Sequence, residues 1–220
     1  QRELDAIVTA EGRTVTNVAV EATLLLLQNK ADEGVQRIEA YLQEQGDKLT
    51  FEHWLLLARY LDTLNRTEGA VEAYRKAMAL DPTPELPASR EVADYLFDRR
   101  LYPDAVTIYQ RISAVNSNDN RVAQRLAEAM LRARQFDAAL TQIERVMAQF
   151  GPTSNMYILQ ALVYQQRGDL TQMRGSLNKA VQTEPLRAHV YFQRADALIN
   201  LPGNDQQVLD DLRKALEIDP

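Results

Sequence analysis

The chain of 220 residues contains no cysteine, which removes a disulfide framework, a thiolate metal site and a cysteine nucleophile at once. The compartment stays open, because a cysteine-free chain suits reducing and oxidising surroundings alike. Glycine and proline are scarce, 8 of each, too few for the many turns of an all-β fold, while 45% hydrophobic content is too much for a disordered chain. Histidine occurs twice, at His53 and His189, and no H-E-x-x-H, glycine-rich phosphate loop or G-x-S-x-G sequence accompanies them. Both are expected to be ordinary surface or groove residues, and no catalytic group, metal or cofactor is expected. An excess of positive charge is missing as well. With 25 Lys and Arg against 31 Asp and Glu, the net charge is −6, which argues against a nucleic-acid partner. The longest apolar run, about Ala22 to Leu27, is far short of the roughly 20 residues a membrane helix needs, so no direct membrane insertion is expected.

What the chain does have is repetition. From Phe51, residues Trp54, Leu57, Ala58 and Leu61 fall at i, i+3, i+4 and i+7, one face of a first helix. Asn65 suits a left-handed helix end, and Ala70, Tyr74 and Ala77 share a face of a second helix that stops at Asp81-Pro82. A small residue returns at Ala22, Ala58, Ala93, Ala127, Ala161 and Ala195, in steps of 34 to 36 residues. A facing series runs through Gly34, Ala70, Ala105, Ala139, Met173 and Val208, each followed four residues later by a larger apolar side chain, from Ile38 and Tyr74 to Leu212. Two helices approach closely only where one residue is small, so the recurrence reads as a packing requirement. Met173 and Val208 are bulkier, and the fifth and sixth pairs are expected to splay slightly. Acidic pairs such as Asp210/Asp211 read as solvated helix faces or caps.

The order Trp-x2-Leu-Ala-x2-Leu followed by Ala-x3-Tyr-x2-Ala-x4-Pro resembles the tetratricopeptide repeat. The resemblance implies an all-α fold, an α-solenoid wound as a right-handed superhelix of about six helix-turn-helix repeats. The repeats fall near 15–50, 51–85, 86–119, 120–153, 154–187 and 188–220, in one solenoid domain, with 1–14 a partial preceding repeat or cap. Leu4, Ile7 and Val8 give that opening segment one apolar helical face. Trp54 is expected to be a core anchor. Beginning at Gln1 and closing at Asp219-Pro220 without a polar capping helix, the chain reads as a piece of a longer protein.

In this family the first helix of each repeat lines the concave side, which assigns the groove by position. The second repeat contributes Leu55, Leu56, Arg59, Asp62 and Thr63, and the third Arg90, Glu91, Asp94, Phe97 and Asp98. The fourth contributes Arg121, Gln124, Arg125, Glu128, Leu131 and Arg132, and the fifth and sixth contribute mainly Ile158, Leu159, Leu162, Phe192 and Ile199. The middle is charged and mixed, while the ends carry apolar and amide side chains such as Gln165, Gln166, Gln193 and Asn200, which fits a peptide or protein surface better than a small substrate. The partner-binding candidates are Arg59, Arg90, Asp94, Phe97, Arg121, Arg125, Glu128 and Arg132. Two readings of the arginines stand. They present forked donors to a partner's carboxylates, or Asp62, Asp94, Asp98 and Glu128 pair with them inside the chain. Some family members clamp the C-terminal carboxylate of chaperones with Lys and Asn on consecutive first helices. The matching positions here include Leu55, Arg90, Arg59 and Asp94, so that clamp is not expected.

The resemblance therefore implies a non-catalytic scaffold that binds a partner protein or peptide, in a bacterial envelope, secretion or polysaccharide-export assembly. The alternative is the substrate-recruiting arm of a larger enzyme, such as a glycosyltransferase. Neither the compartment, cytoplasm or cell envelope, nor the oligomeric state is written in the residues.

Overall fold

Four helix starts are set by side chains that accept from the otherwise unpaired first-turn amides. Thr14, Asp119, Thr153 and Asp169 accept from the amides of Asn17, Val122, Met156 and Gln172 at 3.3, 3.0, 3.3 and 3.0 Å. Each such cap stabilises its helix by about 1 kcal/mol. In the computed structural model, which describes residues 13–80 and 87–219, twelve α-helices follow one another with no strand among the described residues. They are α1 (Val15–Leu27), α2 (Ala31–Gln45), α3 (Phe51–Thr63), α4 (Thr67–Leu80), α5 (Pro87–Asp98) and α6 (Tyr102–Val115). Then come α7 (Asn120–Arg132), α8 (Phe136–Phe150), α9 (Ser154–Arg167), α10 (Leu170–Thr183), α11 (Ala188–Leu198) and α12 (Asp205–Ile218). The opening apolar face of Leu4, Ile7 and Val8 and the stop at Asp81-Pro82 lie outside the described residues.

The turn inside each of the first five helix pairs has one backbone solution, repeated. Asn29, Asn65, Arg100, Arg134 and Gly168 all have positive φ, between 56° and 76°. Their spacing is that of the small-residue series. The next residue's amide reaches back five positions in each case: Lys30 to Leu25, Arg66 to Leu61, Leu101 to Leu96, Gln135 to Met130 and Asp169 to Tyr164, all at 2.8 to 3.0 Å. This left-handed closure satisfies carbonyls at the end of the first helix and reverses the chain. Asn29, Asn65 and Gly168 are residue types that suit such a turn, whereas Arg at 100 and 134 gives no hint of a conformation that arginine rarely adopts.

The chain divides into two compact units, Gln1–Ser89 and Arg90–Pro220. In the first, α1 pairs with α2 and α3 with α4, and α3 packs on the preceding pair. Ala22, Ala58 and Ala70 are fully buried, and Gly34 lies so close to Tyr60 that a Cβ there would sit 1.9 Å from the phenol oxygen. The Tyr60 hydroxyl donates to the Ala22 and Ala31 carbonyls at 3.1 and 3.3 Å, tying one pair to the next. His53 is a correction to the sequence reading: it is buried, not a surface or groove residue. The Thr50 amide donates to its Nδ1 at 3.1 Å as part of the α3 cap, and its ring stacks on Tyr41 with centroids 5.4 Å apart. Trp54, expected as a core anchor, is only half-buried, with the Lys76 ammonium 4.6 Å from its ring centroid.

In the second unit α7 pairs with α8, α9 with α10 and α11 with α12, and each second helix packs on the first helix that follows it. Tyr109 of α6, fully buried, donates its hydroxyl to Asp94 of α5. Met173 and Val208 do not splay their pairs. They are buried with Ala161, Leu177, Ala195 and Leu198 in one cluster, the flexible thioether filling the space an alanine would leave. Asp211 also departs from its reading as a solvated carboxylate. It is 3% exposed and takes a two-pronged contact from Arg194, Nε at 2.8 Å and Nη2 at 2.6 Å. Arg194 donates a third bond to Asn178 at 2.9 Å, so the buried ions are met on several sides.

Candidate functional site

The first helices of the second unit place α5, α7, α9 and α11 side by side, and their unshared faces form the candidate site. Between α7, α9 and the start of α11 runs a groove of about 630 Å³. Arg121, Gln124, Arg125 and Glu128 line its α7 wall. Met156, Ile158, Leu159 and Leu162 form the α9 side, and Asn120, Asn155 and His189 supply polar groups at one end. His189 is thus an exposed groove residue, as the sequence suggested. Beyond the groove, Phe192 and Ile199 on α11 are half exposed at 51% and 55%.

The structure divides the arginines instead of treating them alike. Arg125 is the hub of a ladder: Nε lies 3.9 Å from Asp94, Nη1 lies 3.6 Å from Glu128, and the guanidinium sits 4.9 Å over the Phe97 ring. Phe97 in turn meets Tyr102 edge-on, centroids 5.4 Å apart, so the ladder rests on a fixed aromatic step. Arg90 pairs with Asp119, the residue that caps α7, and so holds the start of the groove's main helix. Asp94 is further committed to the Tyr109 hydroxyl. Burial first, and then the bond to Asp94 and its charge, push the Tyr109 pKa up from the usual phenol value, keeping it a donor at any ordinary pH.

Arg121 and Arg132 stand apart. Arg121 is 67% exposed and, among the described residues, touches only Asp94, at 3.5 Å. Arg132 is 52% exposed and reaches only Glu128, at 3.8 Å. A guanidinium has five N–H donors, so both retain most of theirs. Arg59, the remaining candidate, is an exposed residue of α3 in the first unit.

Four residues assigned to the exposed face by position are buried: Leu55, Leu131, Ile158 and Leu159, at 4, 7, 8 and 8% exposure. First helices of successive pairs pack on one another, which leaves a narrower open strip than the repeat pattern assigns. Ile158 and Leu159 still present an edge to the groove floor. The Arg90–Asp119 pair and the Tyr109–Asp94 bond were not read from the sequence, since both join residues whose proximity depends on how one pair stacks on the next.

Among the described residues no group of three His, Asp or Glu side chains could hold a metal ion, and no helix is long and apolar enough to cross a membrane. The sequence profile of the tetratricopeptide repeat matches residues 20–83 and 91–155, together more than half of the chain. No curated protein matches the sequence. Among solved structures, the fold is similar to the C-terminal part of a TPR repeat-containing protein from Cytophaga hutchinsonii, with a TM-score of 0.63 and 15% identity over 100% of this chain and 89% of that one. It is similar also to MamA from Desulfovibrio magneticus, with a TM-score of 0.56 and 17% identity over 76% of this chain and 94% of that one. YrrB, described as a TPR protein with an unusual peptide-binding site, aligns with a TM-score of 0.51 and 17% identity over 83% of this chain and 94% of that one.

Proposed function

Since the chain belongs to the tetratricopeptide repeat family, we propose that it is a non-catalytic protein–protein interaction scaffold whose second unit holds an extended peptide segment of a partner. The observation that carries this reading is the pairing, in one open groove, of the exposed and mostly uncommitted Arg121 with the apolar strip of Ile158, Leu159 and Leu162. A segment with a carboxylate next to an aliphatic side chain meets both. The carboxylate takes forked donors from Arg121, and the aliphatic group covers the α9 strip. Arg132 offers a second carboxylate site on the same face of α7, about three turns further along, while Arg90, Asp94, Phe97, Arg125 and Glu128 hold α5 and α7 in register beneath them. Arg59 would act separately, on the first unit. YrrB supports the general reading to the extent that a protein of this fold is described as binding a peptide.

The setting we propose is a bacterial envelope, secretion or export assembly. The arm of a larger enzyme would use the same groove, and the identity of the captured partner separates the two. The direct test is fluorescence anisotropy of a labelled, end-blocked Glu-Leu-Glu-Leu peptide with the whole chain. Saturable binding that Arg121→Glu weakens by about tenfold, roughly the worth of a charge-assisted contact, supports the reading. Binding unchanged by that substitution refutes it.

A further inference from the structure

The first unit carries a groove of a different chemistry, away from the faces the repeat pattern assigns to partners. It holds about 610 Å³, within the roughly 300–1,000 Å³ range of sites that enclose small ligands or side chains. The second helices α2 and α4 form its walls and α3 its floor. Leu42, Trp54, Leu57 and Leu61 make the interior apolar.

The charges on its rim are unbalanced. Lys76 is paired within the chain: its ammonium lies 2.8 Å from Glu72 and 4.6 Å from the Trp54 ring centroid. Glu39, on the opposite wall, is exposed and has no hydrogen-bond or ion-pair partner among the described residues. Gly46 closes α2 at one end of the groove, so the carbonyl end of that helix adds partial negative charge there. Of the charged side chains that line the groove, Lys76 and Glu72 pair with each other and Glu39 is left over.

We propose that this groove is a second docking site, for an extended peptide segment of a partner that carries a basic residue beside a large apolar one. The apolar side chain lies on the exposed edge of Trp54 and on Leu57. Its basic neighbour pairs with Glu39 near the α2 terminus. An acidic segment meets the unpaired Glu39, while Lys76 is already paired with Glu72. The two grooves therefore select opposite charges, the second unit taking carboxylates and the first taking cations, and a failure of one leaves the other standing.

Trp54 is the single tryptophan of the chain, so its emission reports occupancy of this groove alone. The experiment titrates the whole chain, at low salt, with end-blocked Leu-Lys-Phe-Lys and with Leu-Glu-Phe-Glu, following Trp54 fluorescence. The basic peptide is expected to give a saturable change and the acidic one none in the same range. Glu39→Lys, an exposed substitution whose folding is checked by far-ultraviolet circular dichroism, should weaken the basic peptide about fivefold, the scale of an exposed charge pair. Glu39→Gln should fall between, and Arg121→Glu should change nothing. Equal responses to both peptides, a response that does not saturate, or an affinity that Glu39→Lys leaves unaltered would each overturn the proposal.

Discussion

Gly34→Ala adds a single methyl group to the first turn of α2, where alanine is the better helix former by up to about 1 kcal/mol. Local propensity alone would make the variant more stable. The packing reverses that sign. The new Cβ would sit 1.9 Å from the Tyr60 hydroxyl oxygen and 2.6 Å from Cζ, so the ring must retreat by roughly 1.5 Å to reach ordinary contact. It cannot do so freely, because Tyr60 is 7% exposed and its hydroxyl donates to the Ala22 and Ala31 carbonyls. Retreat loses about 1 kcal/mol of hydrogen bonding, and overpacking adds about 1–3 kcal/mol. After the propensity gain, a net destabilisation of about 1–3 kcal/mol is expected. Urea unfolding followed by Trp54 fluorescence reads it in the unit concerned. In a Tyr60→Phe background the nearest atom is gone while the ring carbon at 2.6 Å remains, so the penalty should shrink but persist. A Gly34→Ala variant as stable as the parent, or more so, would refute the close approach of α2 to α3.

Arg194→Met should destabilise the second unit by about 3–5 kcal/mol in chemical denaturation, since it strands the buried Asp211 carboxylate, whereas Arg194→Met with Asp211→Leu should recover most of the loss. Ala127→Leu, at a fully buried helix contact, should cost about 1–3 kcal/mol by overpacking, and a melt without loss would contradict the register. Burial holds the His53 pKa below the ordinary imidazole value, with Glu52 opposing more weakly. The unfolded chain then takes up the proton first as pH falls, so His53's contribution is complete above about pH 6.5 and is lost below it. Urea midpoints at pH 7.5 and 5 should show the drop, and His53→Gln should flatten it.

The all-α repeat was legible because it is written in periodic residues. The six small residues from Ala22 to Ala195 recur at the helix contact, and the structure buries all of them. Positions whose role depends on the stacking of one pair upon the next were not legible. Asp211 looks like any acidic residue on an amphipathic helix until Arg194 is placed opposite it, and His53 looks like a surface residue until Thr50 starts α3 three residues before it. The same limit applied to the groove. The pattern found the arginines of α5 and α7, yet only the structure separates Arg90, paired with Asp119, and the less exposed Arg125, set between Asp94, Glu128 and the Phe97 ring, from the more exposed Arg121 and Arg132.

The most direct test of the scaffold reading is photo-cross-linking in the source cell, with a benzophenone amino acid placed at Gln124 in the groove or at Thr141 on the exposed face of α8. The account predicts that the Gln124 variant captures one partner through a segment in which an acidic residue adjoins an aliphatic one, and that Arg121→Glu abolishes the capture. Capture of the same partner from Thr141 and not from Gln124 would contradict it.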